Sequence, residues 1–173
     1  ANKGLEVIEA KWLFGVDADQ IQVVVQKDSL VHSMVQFVDG SVIAHMSPPS
    51  MTFAISHSLL YPERGNYVRP PLDFTKPFTV DFRPPDTDRF PCLKHAFNAL
   101  RAGGTATTVF NASNEIAVEN FVAGKLPWIK IPQVIESTLE ATDAIDPQTL
   151  DDVLDADAQA RAKAREIAAK LMA

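Results

Sequence analysis

The spacing of apolar residues changes twice along the chain, from helical to strand-like and back to helical. Leu5, Ile8, Trp12 and Leu13 recur at helical spacing up to Phe14, and Gly15 ends the run. Ile21, Val23 and Val25 then alternate as strand positions do. Met34–Val38 and Ser41–Met46 flank Asp39-Gly40, a dipeptide suited to the tight turn of a β-hairpin. Helix-forming residues return over Thr52–Leu60, ahead of Tyr61-Pro62. The order helix, three strands, helix predicts a partial antiparallel or mixed sheet covered on one face by helices.

Proline marks the next boundary, because nine of the twelve prolines lie between Pro48 and Pro91. Proline fixes φ and removes a backbone donor, so this stretch is neither a regular helix nor a central strand. Residues 67–90 read as an extended linker, in which the alternation of Phe78, Val80 and Phe82 predicts one short strand or a segment lying across a core. Four helical patterns follow. Leu93, Ala96, Phe97 and Leu100 share a face before Gly103-Gly104, and Val109, Ala112, Ile116 and Ala123 mark a second run ending at Gly124. Ile131, Val134, Ile135, Thr138 and Leu139 give a third, with Pro132 near its first turn. Asp146-Pro147 opens the last, predicted to break at Asp155–Asp157 and resume over Ala158–Leu171 with Ala164, Ile167, Ala168 and Leu171 inward. The expected class is α+β: residues 1–66 with the sheet, the linker 67–90, and a four-helix bundle over 91–173.

Composition narrows the function. With 173 residues, 46% hydrophobic and 22% charged, the chain can form one sizeable core or two small ones. A net charge of −6 argues against a nonspecific nucleic-acid binder, which would carry a basic patch. Cys92 is the sole cysteine, so neither an intrachain disulfide nor a thiol zinc site is spelled out. No apolar run approaches the ~18–20 residues of a membrane span, and no signal peptide is evident. A cytoplasmic protein is the expectation.

The densest candidate chemistry is Asn2-Lys3-Gly4-Leu5-Glu6. On a helix Asn2, Lys3 and Glu6 share a face, beside an N-terminus whose free N–H groups favour anions. A phosphate could sit on Asn2 and Lys3 while Glu6 holds a cation; equally, Glu6 is a solvated carboxylate paired with Lys3. A hard divalent ion needs more oxygens than one carboxylate supplies. Such a set at the start of the chain suggests half of a catalyst. Ser29 and His32 either reach a ligand cleft from a strand end or are a loop serine and a structural histidine. Pro48-Pro49 makes a rigid loop before Met51, whose thioether suits a flat ring or simply a core. His45, His57 and His95 show no metal spacing, and Asn111 or Ser113 reads as a helix cap. There is no GxGxxG motif and no P-loop.

Asn2-Lys3-Gly4-Leu5-Glu6-Val7-Ile8-Glu9-Ala10 with Trp12-Leu13-Phe14 resembles the 1-deoxy-D-xylulose 5-phosphate reductoisomerases. So do His32-Ser33-Met34-Val35, Asp39-Gly40-Ser41, Tyr61-Pro62-Glu63-Arg64, Arg89-Phe90-Pro91-Cys92-Leu93, Arg101 to Ala106, and Asn111 with Asn114-Glu115. The resemblance implies the second part of the catalytic domain, the linker and the C-terminal bundle of a homodimeric enzyme. Its NADPH-binding domain and two further metal carboxylates would lie outside this chain, which alone would be inactive. It implies that Asn2, Lys3, Glu6 and His32 bind the phosphorylated sugar, with Lys3 and Glu6 catalytic and Glu6 on Mg²⁺ or Mn²⁺. Ser29, Pro49 and Met51 would lie near NADPH. The alternative is a non-catalytic dimerisation or partner-binding module.

Some positions depart from the family pattern. The family usually has His-Pro-Gln where Gln26-Lys27-Asp28 stand, and Gly-x-Pro-Asp-Met where Ser47-Pro48-Pro49-Ser50-Met51 stand. Thr52 occupies a place where arginine is usual. The departures fall on the cofactor side and leave Asn2, Lys3 and Glu6 untouched.

Overall fold

The computed structural model of the chain describes residues 1–172. In chain order its elements are α1 (Asn2–Phe14), a 3-10 turn (Ala18–Gln20), β1 (Val25–Gln26), β2 (Val31–Gln36), β3 (Val42–Met46) and α2 (Met51–Leu60). There follow β4 (Phe82–Arg83), α3 (Cys92–Ala102), α4 (Ala106–Val122), a second 3-10 turn (Trp128–Lys130), α5 (Ile131–Glu140) and α6 (Leu150–Met172). The fold is α+β, helices with small antiparallel sheets. No helix among the described residues is long and apolar enough to cross a membrane. Residues gather into two compact units: Ala1–Gln22 with the chain from Asp86 onward, and Val23–Pro85.

In the first unit α1 ends at Gly15, whose left-handed backbone (φ 64°) lets its N–H reach the Lys11 carbonyl at 2.9 Å. The sequence groups α1 with the residues up to 66, but the helix packs on α3. Gly4 and Val7 are its buried positions. A side-chain carbon on Gly4 would stand 2.6 Å from Ala96 Cβ, so the missing methyl sets the approach of the two helices. Of the predicted stripe, Leu5 and Ile8 pack against the cluster formed by α3, α4 and α5, whereas Trp12 and Leu13 are more than 70% exposed. Glycine contributes no apolar signal, so Gly4 went unnoticed beside Leu5 and Ile8.

Cys92, Ala96 and Ala99 on α3, Ala106 and Phe110 on α4 and Ile135 on α5 enclose one core cluster. Ile116 and Ala117 on α4, Leu126, Val134 on α5, and Ala164 and Ala168 on α6 form another. The turn into α4 is clasped twice, by Thr105 N–H on the Ile145 carbonyl (2.9 Å) and by Ile145 N–H on Thr105 Oγ1 (3.1 Å). The cap expected at Asn111 or Ser113 lies in mid-helix instead. There Ser113 Oγ donates to the Phe110 carbonyl at 3.0 Å, the local bond that makes such residues resemble caps. α6 also runs unbroken through Asp155–Asp157. Ala156, Ala160, Ala164 and Ala168 are buried at four-residue spacing, and Arg161 ties Asp157 (2.6 Å) to Glu115 of α4 (2.7 Å). Packing of this alanine stripe outweighs the weak helix preference of aspartate.

The second unit holds two separate two-stranded sheets rather than one of three strands. β2 pairs antiparallel with β3, and β1 pairs with β4 through Val25↔Arg83 and Gln26↔Phe82. Ile21 and Val23 lie outside β1, while β4 comes from the proline-rich stretch. α2 begins at Ser50, whose Oγ accepts from Thr52 N–H (3.3 Å), and buries no residue. Among the described residues of this unit Ser47 alone is buried.

Candidate active site

The first turns of α1 bring Asn2, Lys3 and Glu6 together. Asn2 Nδ2 donates to Glu6 Oε1 at 2.8 Å, and Lys3 Nζ donates to Glu6 Oε2. Helical spacing makes the cluster, and Gly4 holds it in place by anchoring the same turn against Ala96, Cys92 and Phe110. The Lys3 and Glu6 side chains are 56% and 45% exposed, so their ion pair contributes little to stability. No side chain caps the helix and no acidic residue lies in its first turn. The Asn2 amide and the Lys3 ammonium, both donating to Glu6, are the groups with which this face could meet an anion. Glu6 fits a hard cation as one ligand. Among the described residues, no three His, Cys, Asp or Glu side chains converge to complete a metal centre.

The other expected residues lie in the second unit. Ser29 follows a turn in which its N–H reaches the Gln26 carbonyl (3.3 Å). Its φ of 52° makes it the sole non-glycine residue in the left-handed region among those described. Such a conformation costs about 1–3 kcal/mol and gathers at ligand sites. His32 stands on a β-bulge: Val31 pairs with Met46 and Ser33 with His45, which leaves His32 as the extra residue of β2. Bulges re-aim a side chain away from the regular pleat. The His32 Nε2 atom lies 2.9 Å from Ser47 Oγ and 3.1 Å from the Ser47 carbonyl. Pro49 and Met51 flank Ser50 at the start of α2, and Met51 is exposed. Because serine and aspartate both serve as N-caps, Ser50 preserves the helix start where the family pattern has Asp.

Sequence reasoning overlooked the bulge and the hydroxyl of Ser47. The signal for Ser47 was present, in that it replaces the glycine of the family pattern.

The profile of the DXP reductoisomerase C-terminal domain matches residues 46–163. The chain belongs to the DXP reductoisomerase family. It is 50% identical over 165 residues to the 1-deoxy-D-xylulose 5-phosphate reductoisomerase of Nitrosomonas europaea, covering 95% of this chain and 40% of that protein. The Cupriavidus necator reductoisomerase is 49% identical over 172 residues, covering 99% of this chain and 44% of its own length. Among solved structures, the Zymomonas mobilis reductoisomerase in complex with NADPH superposes with a TM-score of 0.88 at 39% identity, over 96% of this chain and 44% of that one. A DOX-P reductoisomerase in complex with NADPH, fosmidomycin and magnesium gives 0.84 at 38% identity, over 99% and 43%. The chain thus spans less than half the length of these reductoisomerases.

Proposed function

We propose that the chain is the C-terminal portion of an NADPH-dependent reductoisomerase converting 1-deoxy-D-xylulose 5-phosphate to 2-C-methyl-D-erythritol 4-phosphate in the non-mevalonate isoprenoid route. The observation that carries this is the Asn2–Lys3–Glu6 cluster on the first turns of α1, in a chain of this family. Residues 1–66 would complete the catalytic domain, 67–90 the linker and 91–173 the four-helix bundle of a cytoplasmic homodimer.

Asn2 and Lys3 bind the substrate phosphate and hydroxyls, and Glu6 is one carboxylate for Mg²⁺ or Mn²⁺. The ion supplies Lewis acidity for the skeletal rearrangement, and NADPH supplies the hydride. Glu6 holds Asn2 and Lys3 when neither ligand is bound. Glu6 would hold the cation when it is bound, and Asn2 and Lys3 would then donate to the phosphate. The left-handed turn at Ser29 and the loop at Pro49 and Met51 present a small polar group and an apolar face to the nicotinamide.

The test is Glu6→Gln in the protein with its NADPH-binding domain. Turnover should fall at least about a hundredfold with folding intact; an unchanged rate removes Glu6 from the site. The isolated 173-residue chain should show no substrate-dependent NADPH oxidation with Mn²⁺. The exposed apolar residues of the hairpin, Val35, Phe37, Val42 and Ile43, favour a second reading as a dimerisation or partner-binding module. Loss of dimers without loss of turnover on charging Val35 and Ile43 would support it.

A further inference from the structure

We propose that Ser47 is a positioning residue that clamps His32 in the tautomer protonated at Nε2, so that Nδ1 meets the substrate as a hydrogen-bond acceptor. The proposal rests on the assignment of His32 to the substrate site. A carbonyl oxygen can only accept, so the 3.1 Å approach of His32 Nε2 to the Ser47 carbonyl requires a proton on Nε2. The Ser47 hydroxyl has one proton, and it points at the Pro48 carbonyl at 3.2 Å. Its oxygen therefore offers only lone pairs to His32, 2.9 Å away. One N–H is shared between two acceptors of the same residue, and the network has a single consistent direction: His32 to Ser47 to Pro48.

The support is rigid where the ring is not. His32 is exposed on its bulge, while Ser47 is the buried residue of the unit, at 8% exposure. No hydrogen bond engages His32 Nδ1 among the described residues. In the neutral ring that nitrogen carries only a lone pair. It suits a hydroxyl donor on the sugar and not a phosphate oxygen, which needs donors such as Asn2 and Lys3. The family pattern usually has glycine in place of Ser47, so the hydroxyl half of the clamp departs from that pattern.

The decisive experiment is long-range ¹H–¹⁵N correlation on histidine-labelled protein with its NADPH-binding domain present. In the neutral ring, His32 should show a protonated Nε2 and a bare Nδ1. Addition of 1-deoxy-D-xylulose 5-phosphate should shift Nδ1 and leave Nε2 in place. A proton on Nδ1 in the neutral ring overturns the clamp. If the ring is clamped but does not respond to bound substrate, the acceptor role falls, and the error lies in placing His32 at the site. Ser47→Ala should raise the substrate KM about fivefold with kcat within about twofold, the loss of one hydrogen bond. Ser47→Thr should restore it, and an unchanged KM in Ser47→Ala overturns the positioning role. As a check independent of Ser47, His32→Asn keeps an amide near the Nδ1 position and His32→Gln keeps one near Nε2. Asparagine should retain the higher kcat/KM, and the reverse order overturns the proposal.

Discussion

In the helical unit Phe110, Ile116, Val134 and Ile135 are enclosed, whereas in the other unit Met34, Val35, Phe37 and Ile43 stand open to solvent around a single buried serine. The two are not equally self-sufficient. Helices α3 to α6 bury one another's apolar stripes, so most of their stabilising burial is internal. A two-stranded hairpin is marginal on its own, and β2–β3 offers its apolar side chains with nothing in the unit to cover them. Stability should therefore be concentrated in the helices, and the hairpin should depend on surfaces beyond its own unit.

That contrast is open to direct attack. The largest effect should come from Phe110→Ala, which empties a fully buried site and should cost about 3–5 kcal/mol by urea denaturation. Phe37→Ala in the hairpin should cost under about 0.5 kcal/mol in the chain alone. Equal costs would erase the distinction. Next comes Gly4→Ala, whose new methyl would meet Ala96 Cβ at 2.6 Å. Pushing α1 off α3 should cost about 1–3 kcal/mol and also displace Asn2, Lys3 and Glu6, lowering turnover of the complete enzyme.

Arg161→Ala should cost about 1 kcal/mol at neutral pH, because its partners Asp157 and Glu115 are only partly buried. The hydrogen bond from Arg161, followed by that from Asn111, holds the Glu115 carboxyl below its ordinary value of 4.5. Glu115 therefore contributes stability above that pH and loses it as the pH falls further, a slope the variant should flatten.

The smallest effect concerns His95. Burial lowers its pKa below 6.5, against the attraction of Glu136 and Glu140 on α5, with Lys94 on its own helix adding to the lowering. The unfolded chain takes up a proton that the folded chain resists, so stability should decline as the pH drops below 6.5. His95→Gln should reduce that decline in a urea series across pH.

Elements whose side chains carried their own periodicity were legible in the sequence. α5 follows Val134, Ile135 and Thr138 inward as its spacing predicts, and the Asp39-Gly40 turn joins two paired strands. What escaped were features set by absence or by distant pairing. Gly4 guides a helix contact through the carbon it lacks. β4 pairs with β1 across more than fifty residues, a partner that the local alternation of Phe78, Val80 and Phe82 does not name. The continuity of α6 depends on what its alanines touch, which no local propensity encodes. At the candidate site, residue types were readable from the family pattern, but the Ser47 hydrogen bonds needed coordinates.

The bulge at His32 gives the hairpin a change of phase. Side chains along a strand alternate between faces, so one surplus residue reverses the alternation from that point on. Removing residue 32 would leave Val31 and Ser33 adjacent and the ladder with β3 regular, with Val31 still opposite Met46, so that only the surplus residue and the bend it puts in the strand would be lost. A shortened hairpin could therefore fold with every strand pair intact and still lack the side chain that the bulge turns out of the regular pleat. For this segment, the number of residues matters as much as their identity.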